Sequence, residues 1–146
     1  MKNRVQVLHG VNFDVLGRRD PEVYGGMALR ELEVQVKRYA YELDLGVTFF
    51  QSNFEGEFVE YLHRLPELAD AAIINAGAWT HYSYAIRDAL EIAQVPTVEV
   101  HLSDVSSREE WRRRSVFDGL VLGVVAGKGP DGYREALEML KKELDK

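Results

Sequence analysis

An α/β fold with a parallel sheet is expected from this chain on three grounds. Short β-branched runs alternate with longer stretches of helical periodicity. Several of the β runs are apolar throughout, as strands covered on both faces are. The alternation recurs without a linker, an internal repeat or a low-complexity tract, which points to one domain over residues 1–146.

The elements follow in order. Residues 4–9 (RVQVLH) form the first strand. Residues 29–43 carry Leu32, Val36, Tyr39, Ala40 and Leu43 at helical spacing, and Gly46 follows as a stop signal. Residues 47–50 are the second strand, and residues 55–64 a helix with Phe58, Tyr61 and Leu62 on one side. The third strand is 71–75 (AAIIN), followed by a helix over 81–93. The fourth strand is 97–102 (TVEVHL), followed by a short helix over 108–114. The fifth strand is 120–126 (LVLGVVA), and a helix over 131–144 ends the chain. Five βα units with right-handed crossovers make a flavodoxin-like, doubly wound sheet of order 2-1-3-4-5 the expected architecture.

Composition removes several classes of function. The chain has no cysteine, so disulfides, Cys-ligated zinc and thiol chemistry are excluded. The formal net charge of -6 speaks against nucleic-acid binding, which needs a basic surface. Met1 to Leu8 is too short an apolar run for a signal sequence, and no stretch has the length of a membrane span. These features are in keeping with a cytoplasmic protein. There is no G-x-G-x-x-G, Walker A, H-E-x-x-H or G-x-S-x-G motif. The histidines His9, His63, His81 and His101 lack metal-ligand spacing, and the turn after the first strand suits a flavin phosphate poorly, so neither a metal nor a cofactor is expected.

Ligands of open parallel sheets bind beyond the strand C-termini, where the strand order reverses. For this order the crevice lies between strands one and three. The residues delivered there are His9, Gly10 and Asn12, then Asn75, Ala76 and Gly77, with Glu99, His101, Leu102 and Ser103 from strand four. Such a polar collection fits a small organic molecule. Glu99 and His101 are two apart on a strand and share a face. That spacing serves either a structural pair or an imidazole prepared for proton transfer. Residues 10–27 show no periodicity and contain Arg18, Arg19 and Tyr24 between glycines; a plain surface loop and a mobile lid that carries chemistry both fit. Arg108, Arg112, Arg113 and Arg114 gather positive charge in an acidic protein, as a solvated helix face or an anion clamp. On a helix Arg108 and Arg112 share a face, with a capping box from Ser106 to Glu109 or Ser107 to Glu110 at its start. His81 and Asp88 are expected to share a face of the preceding helix. What remains is acid–base chemistry by Tyr24, His101 and their neighbours.

The stretches HGVNFDVLGRRDPEVYGG (9–26), FFQSNFEGE (49–57), IINAGAWTHYSYAIRDAL (73–90), VPTVEVHLSDVSSREEWRRRS (95–115) and GVVAGKGPDGYREAL (123–137) carry a combination more specific than any single motif. Through them the chain resembles the type II 3-dehydroquinate dehydratase family along nearly its whole length. The resemblance implies a flavodoxin-like fold and loss of water from 3-dehydroquinate to give 3-dehydroshikimate. The elimination is anti and passes through an enolate, in the shikimate pathway toward aromatic amino acids or in quinate catabolism. It implies Tyr24 as the base, with Arg19 and Arg108 favouring its phenolate by their charge. Asn12 would hold a water against the enolate oxygen. His101, oriented by Glu99 and assisted by Asn75, would protonate the leaving hydroxyl. Arg112 and His81 would hold ring hydroxyls, and main-chain groups of Leu102 and Ser103 the substrate carboxylate. Asp88 would reach a neighbouring subunit's site, implying a homo-oligomer of trimers, commonly a dodecamer.

The chain departs from the family pattern at a few positions. The usual N-G-P-N is His9-Gly10-Val11-Asn12, and the usual H-E-G-E begins with Phe54. Trp79 replaces a leucine, Tyr82 a threonine, and Asp104 an asparagine. These changes are expected to reshape the pocket, with Asp104 adding negative charge near the carboxylate site. A ligand-binding relative without turnover is the second reading.

Overall fold

The strand Ala71–Asn75 is buried at every position, and its side chains alternate between two cores. Ala71 and Ile73 enter one cluster, and Ala72 and Ile74 enter the other. A strand apolar on both faces is stable only if helices cover both. In the computed structural model, which describes residues 1–146, they do. Strands β1 (Arg4–His9), β2 (Gly46–Gln51), β3 (Ala71–Asn75), β4 (Thr97–His101) and β5 (Gly123–Ala126) form one sheet of order β2-β1-β3-β4-β5, all parallel. The expected fold class and strand order are therefore observed. The helices are α1 (Pro21–Tyr24), α2 (Leu29–Glu42), α3 (Glu55–Leu68), α4 (Tyr84–Ala93) and α5 (Asp131–Leu144). The apolar faces of α2 and α5 pack with Val5, Val7, Val98 and Val100 on one side. Those of α3 and α4 pack with Leu8 and Ile74 on the other. Full burial of each such Leu, Ile or Phe side chain contributes about 1.5–3 kcal/mol. No helix is long and apolar enough to cross a membrane.

The strand order reverses between β1 and β3, and the chain is pressed tight there. A Cβ on Gly10 would lie 2.2 Å from the Ala76 carbonyl oxygen, so only glycine fits. Beyond this point the β1 and β3 ends open toward the site.

Four expectations need correction. Residues 10–27 are not aperiodic: they hold a 3₁₀ segment (Phe13–Arg18) and then α1. Phe13 and Leu16 are buried and anchor the segment to the core. Residues 108–114 are not one helix. Two 3₁₀ turns, Val105–Ser107 and Glu110–Arg112, flank an extended Arg108, because the Asp104 side chain accepts from Ser106 and closes the first turn early. The capping boxes expected there are absent. Helix α4 begins at Tyr84, capped by Ser83, so His81 ends a separate 3₁₀ turn (Gly77–His81) and shares no helix face with Asp88. The fifth strand starts at Gly123, since Leu120 and Val121 turn to pack against the α3–α4 core instead of joining the sheet.

Candidate active site

One cavity of about 630 Å³, its open mouth included, lies at the C-terminal ends of β1, β3 and β4. Its lining, mostly polar side chains with a few apolar ones, suits a small organic molecule. Asn12, Arg19, Tyr24, Asn75, His81, His101, Leu102, Ser103, Arg108 and Arg112 line it, together with Phe13, Leu16, Gly77, Ala78 and Val105. Glu99 stands behind His101. Asp88 is exposed on α4 and does not reach this cavity.

His101 is the last residue of β4 and is buried. Its Nε2 lies 2.5 Å from Oε2 of the buried Glu99, which fixes that nitrogen as the donor. Nδ1 makes no protein hydrogen bond and is not sealed from the cavity, so it is the ring atom able to exchange a proton with a ligand. Glu99 is held a second time. Its Oε1 accepts from Ser115 Oγ at 2.8 Å, and Ser115 Oγ in turn accepts from the Phe117 amide at 3.0 Å. Ser115 was missed by sequence reasoning; sixteen residues separate it from Glu99, and no local spacing links them.

Tyr24 reaches the cavity from a different segment, α1. Asp20 caps α1 by accepting from the Glu22 amide, Pro21 occupies the first turn, and left-handed Gly25 (φ 88°) stops the helix after Tyr24. The run D-P-E-V-Y-G is thus a complete one-turn helix with both ends specified. Two guanidinium groups reach the Tyr24 hydroxyl. Arg19 donates from Nη2, and Arg108 donates from Nη1 at 2.9 Å. The guanidinium carbons lie 4.2 Å and 5.2 Å from the ring centroid, within cation–π range. Arg108 also donates to Ser103 Oγ at 3.3 Å.

Although Arg108 and Arg112 do not share a helix, Glu109 brings them together. Its carboxylate lies 3.7 Å from Arg108 Nε and accepts from Arg112 Nε at 3.0 Å. Its own backbone amide and Arg112 hold it below the usual carboxylate range. Glu109 is a second residue whose part was missed, having been read as a cap. Arg113 and Arg114 are exposed and outside the cavity, so the four-arginine cluster divides. His81 donates from Nδ1 to the Arg114 carbonyl at 2.7 Å, and its ring stacks 6.3 Å from that of His101. Burial pushes the His81 imidazole below its ordinary 6.5, against the raising effect of the Arg114 carbonyl. Asn12, in the left-handed region (φ 72°), is pinned through its amide by Asn53 Oδ1 at 2.8 Å.

None of the five departures at Val11, Phe54, Trp79, Tyr82 and Asp104 lines the cavity. Trp79 packs edge-on against Phe58 in the α3–α4 core, and Phe54 and Tyr82 are exposed. Asp104 spends its carboxylate on the Ser106 amide and hydroxyl. Val11 abuts the lining residue Gly77, so any influence of these five positions on the pocket is through neighbouring residues.

Fold and site together define a doubly wound α/β protein whose cavity holds a Glu-held histidine and a tyrosine between two arginines. Comparison with known proteins narrows this class. The family model for class II dehydroquinase matches residues 3–141. The chain is 48% identical over 142 residues to the 3-dehydroquinate dehydratase of Thermotoga petrophila, covering 97% of each chain. Its structure resembles the crystal structure of the type II dehydroquinase from Propionibacterium acnes, with a TM-score of 0.91 and 37% identity over 97% of this chain and 98% of that one. It matches the type II dehydroquinase from Butyrivibrio crossotus with a TM-score of 0.91 and 36% identity over 95% and 97% of the two chains. The chain belongs to the class II dehydroquinase family and is an enzyme of that type.

Proposed function

We propose that this enzyme removes water from 3-dehydroquinate to form 3-dehydroshikimate, in the shikimate pathway. The observation that carries the reading is the pairing across one cavity of Tyr24, gripped by Arg19 and Arg108, with His101, gripped by Glu99. Tyr24 as phenolate takes the C2 proton alpha to the ketone, and the two guanidinium groups favour the charged oxygen. The electron pair moves onto the ketone oxygen as an enolate, against which Asn12 holds a water. The enolate then collapses and expels the C1 hydroxyl, which leaves as water with the Nδ1 proton of His101. The ring acts as imidazolium whose other N–H is held by Glu99, and it returns to the neutral Nε2–H form. Base and acid border one cavity and come from separate segments, α1 and β4, and the elimination they carry out is anti. Arg112 and the neutral His81 hold ring hydroxyls, and main-chain groups of Leu102 and Ser103 receive the carboxylate.

The assembly belongs to the same reading. Asp88 lies between Tyr84 and Ile92 at four-residue steps on α4, and both flanking side chains are exposed. An exposed apolar stripe with a carboxylate at its centre fits a second copy of the chain; the number of copies, trimers up to a dodecamer with Asp88 serving a neighbour's site, is taken from the family resemblance. The activity is tested by the rise in enone absorbance when 3-dehydroquinate meets the folded enzyme. A flat trace would overturn the proposal. Sedimentation that finds only monomer would overturn the assembly.

A further inference from the structure

Beneath the cavity lies a buried hydrogen-bond chain that the proposed mechanism does not use. His9 at the end of β1 and Asn75 at the end of β3 are paired in register. Tyr133, in the first turn of α5, closes onto both. Its hydroxyl lies 2.8 Å from His9 Nε2 and 3.3 Å from Asn75 Nδ2. All three residues are buried, His9 and Tyr133 completely. Of the three, only Asn75 borders the cavity.

The direction of the chain can be worked out from its fixed end. The Gly77 amide can only donate, and it lies 3.4 Å from Asn75 Oδ1, so Oδ1 faces Gly77 and Nδ2 faces Tyr133. The Tyr133 oxygen therefore accepts from Asn75. Its own proton then has one partner, His9 Nε2, which must be the acceptor. His9 carries its proton on Nδ1, a buried atom with no hydrogen-bond partner. The Phe13 ring stacks 4.5 Å from the His9 ring. The opposite direction would leave the Tyr133 proton without a partner as well. Asn75 is thus held at both ends of its amide, with one Nδ2 hydrogen left over.

We propose that Tyr133 and His9 are positioning residues that lock the Asn75 amide so that it offers an N–H, and never its carbonyl, to a substrate oxygen in the cavity beside His101. Charge neutrality makes the lock permanent. Burial pushes the His9 imidazole down to about 3 and the Tyr133 phenol up, so neither ionises while the protein works. A carbonyl turned toward the cavity would repel the oxygen of a leaving hydroxyl; an N–H stabilises it as the C–O bond breaks.

The inference rests on the proposed dehydration, and its test separates the two. Tyr133→Phe, Asn75→Ala and the double variant are assayed with 3-dehydroquinate beside wild type. Tyr133→Phe is expected to lower kcat about tenfold with KM changed less than about twofold, as a misaligned group at the reacting centre does. In the Asn75→Ala background the same change should cost nothing further. Equal losses in both backgrounds would mark Tyr133 as a purely structural residue and overturn the proposal. If Tyr133→Phe does not fold, His9→Phe takes its place in the same cycle, since it keeps an aromatic ring beside Phe13 and removes the acceptor together with the unpartnered Nδ1–H. A second arm needs no variant. The ¹⁵N spectrum of histidine-labelled wild type should show His9 as the Nδ1–H tautomer with an acceptor Nε2. An Nε2–H tautomer would overturn the lock even if the enzyme turns over. An inactive wild type showing the Nδ1–H tautomer would overturn the dehydration and with it the role given to the lock.

Discussion

His101 and Tyr24 face the same cavity from supports of different kinds. His101 ends a strand in the middle of the sheet, and its partner Glu99 is buried and held twice, by the imidazole and by Ser115. Tyr24 ends a four-residue helix whose own residues are all at least partly exposed. It is held by the Arg19 and Arg108 side chains and by packing against the core around Phe13 and Leu16. The His101 side is therefore built from interactions that also stabilise the fold. The Tyr24 side is built from contacts among groups near solvent. Under the proposed roles, chemistry and stability should be coupled at His101 and separable at Tyr24.

The sharpest way to test that contrast is Tyr24→Phe. It should lower kcat by about 10³-fold, within the range that positioned acid–base groups supply. It should leave unfolding free energy within about 0.5 kcal/mol, as changes at partly exposed sites do. Turnover and chemical denaturation measured on one preparation decide both halves. Glu99→Gln should cost about 10²-fold in kcat, because an outer partner that orients an imidazole is lost. Unlike Tyr24→Phe it should also lower the denaturation midpoint, and an unchanged midpoint would break the comparison.

A separate effect, on stability alone, is expected from pH. His9 binds no proton in the folded state until about pH 3, whereas its ordinary value is 6.5. The unfolded chain therefore takes up the proton first. The stability due to His9 is fully present above pH 6.5 and is lost as pH falls toward 3. Within that window the folding constant should drop by up to about tenfold per pH unit from this group alone. His81 is shifted in the same direction. In denaturation curves across the window, wild type should lose stability relative to His9→Phe as pH falls. The smallest effect is expected from Asp104→Asn. The carboxylate caps a turn and does not line the cavity, so asparagine should replace it with kcat, KM and stability nearly unchanged, within about 0.5 kcal/mol. A large gain in KM performance would show that its charge does reach the ligand.

Much of this site is legible in the linear chain, and the legible parts share a cause. The apolar runs of β1, β3 and β4 give the strand ends. The period of two puts Glu99 and His101 on one face. The run Asp20-Pro21-Glu22-Val23-Tyr24-Gly25 spells out a capped turn. Each of these follows from backbone geometry over a few residues. The turns at 105–112 were misread because arginines four apart suggest a helix, while Asp104 closes the first turn before one can propagate. The second hold on Glu99 by Ser115 and the bridge from Glu109 to both arginines have no local signature that distinguishes them from a turn and a cap.

The sequence by itself determined the doubly wound sheet, the end of the sheet at which the cavity lies and most of the residues around it, because hydrophobic period and turn chemistry are local. Only the tertiary structure decided how those residues are held. Arg108 meets Tyr24 across 84 positions of chain, and Tyr133 meets Asn75 across 58 and His9 across 124. Contacts of that span depend on how helices and turns pack onto the sheet, and no short pattern encodes the atom that each hydrogen bond will find.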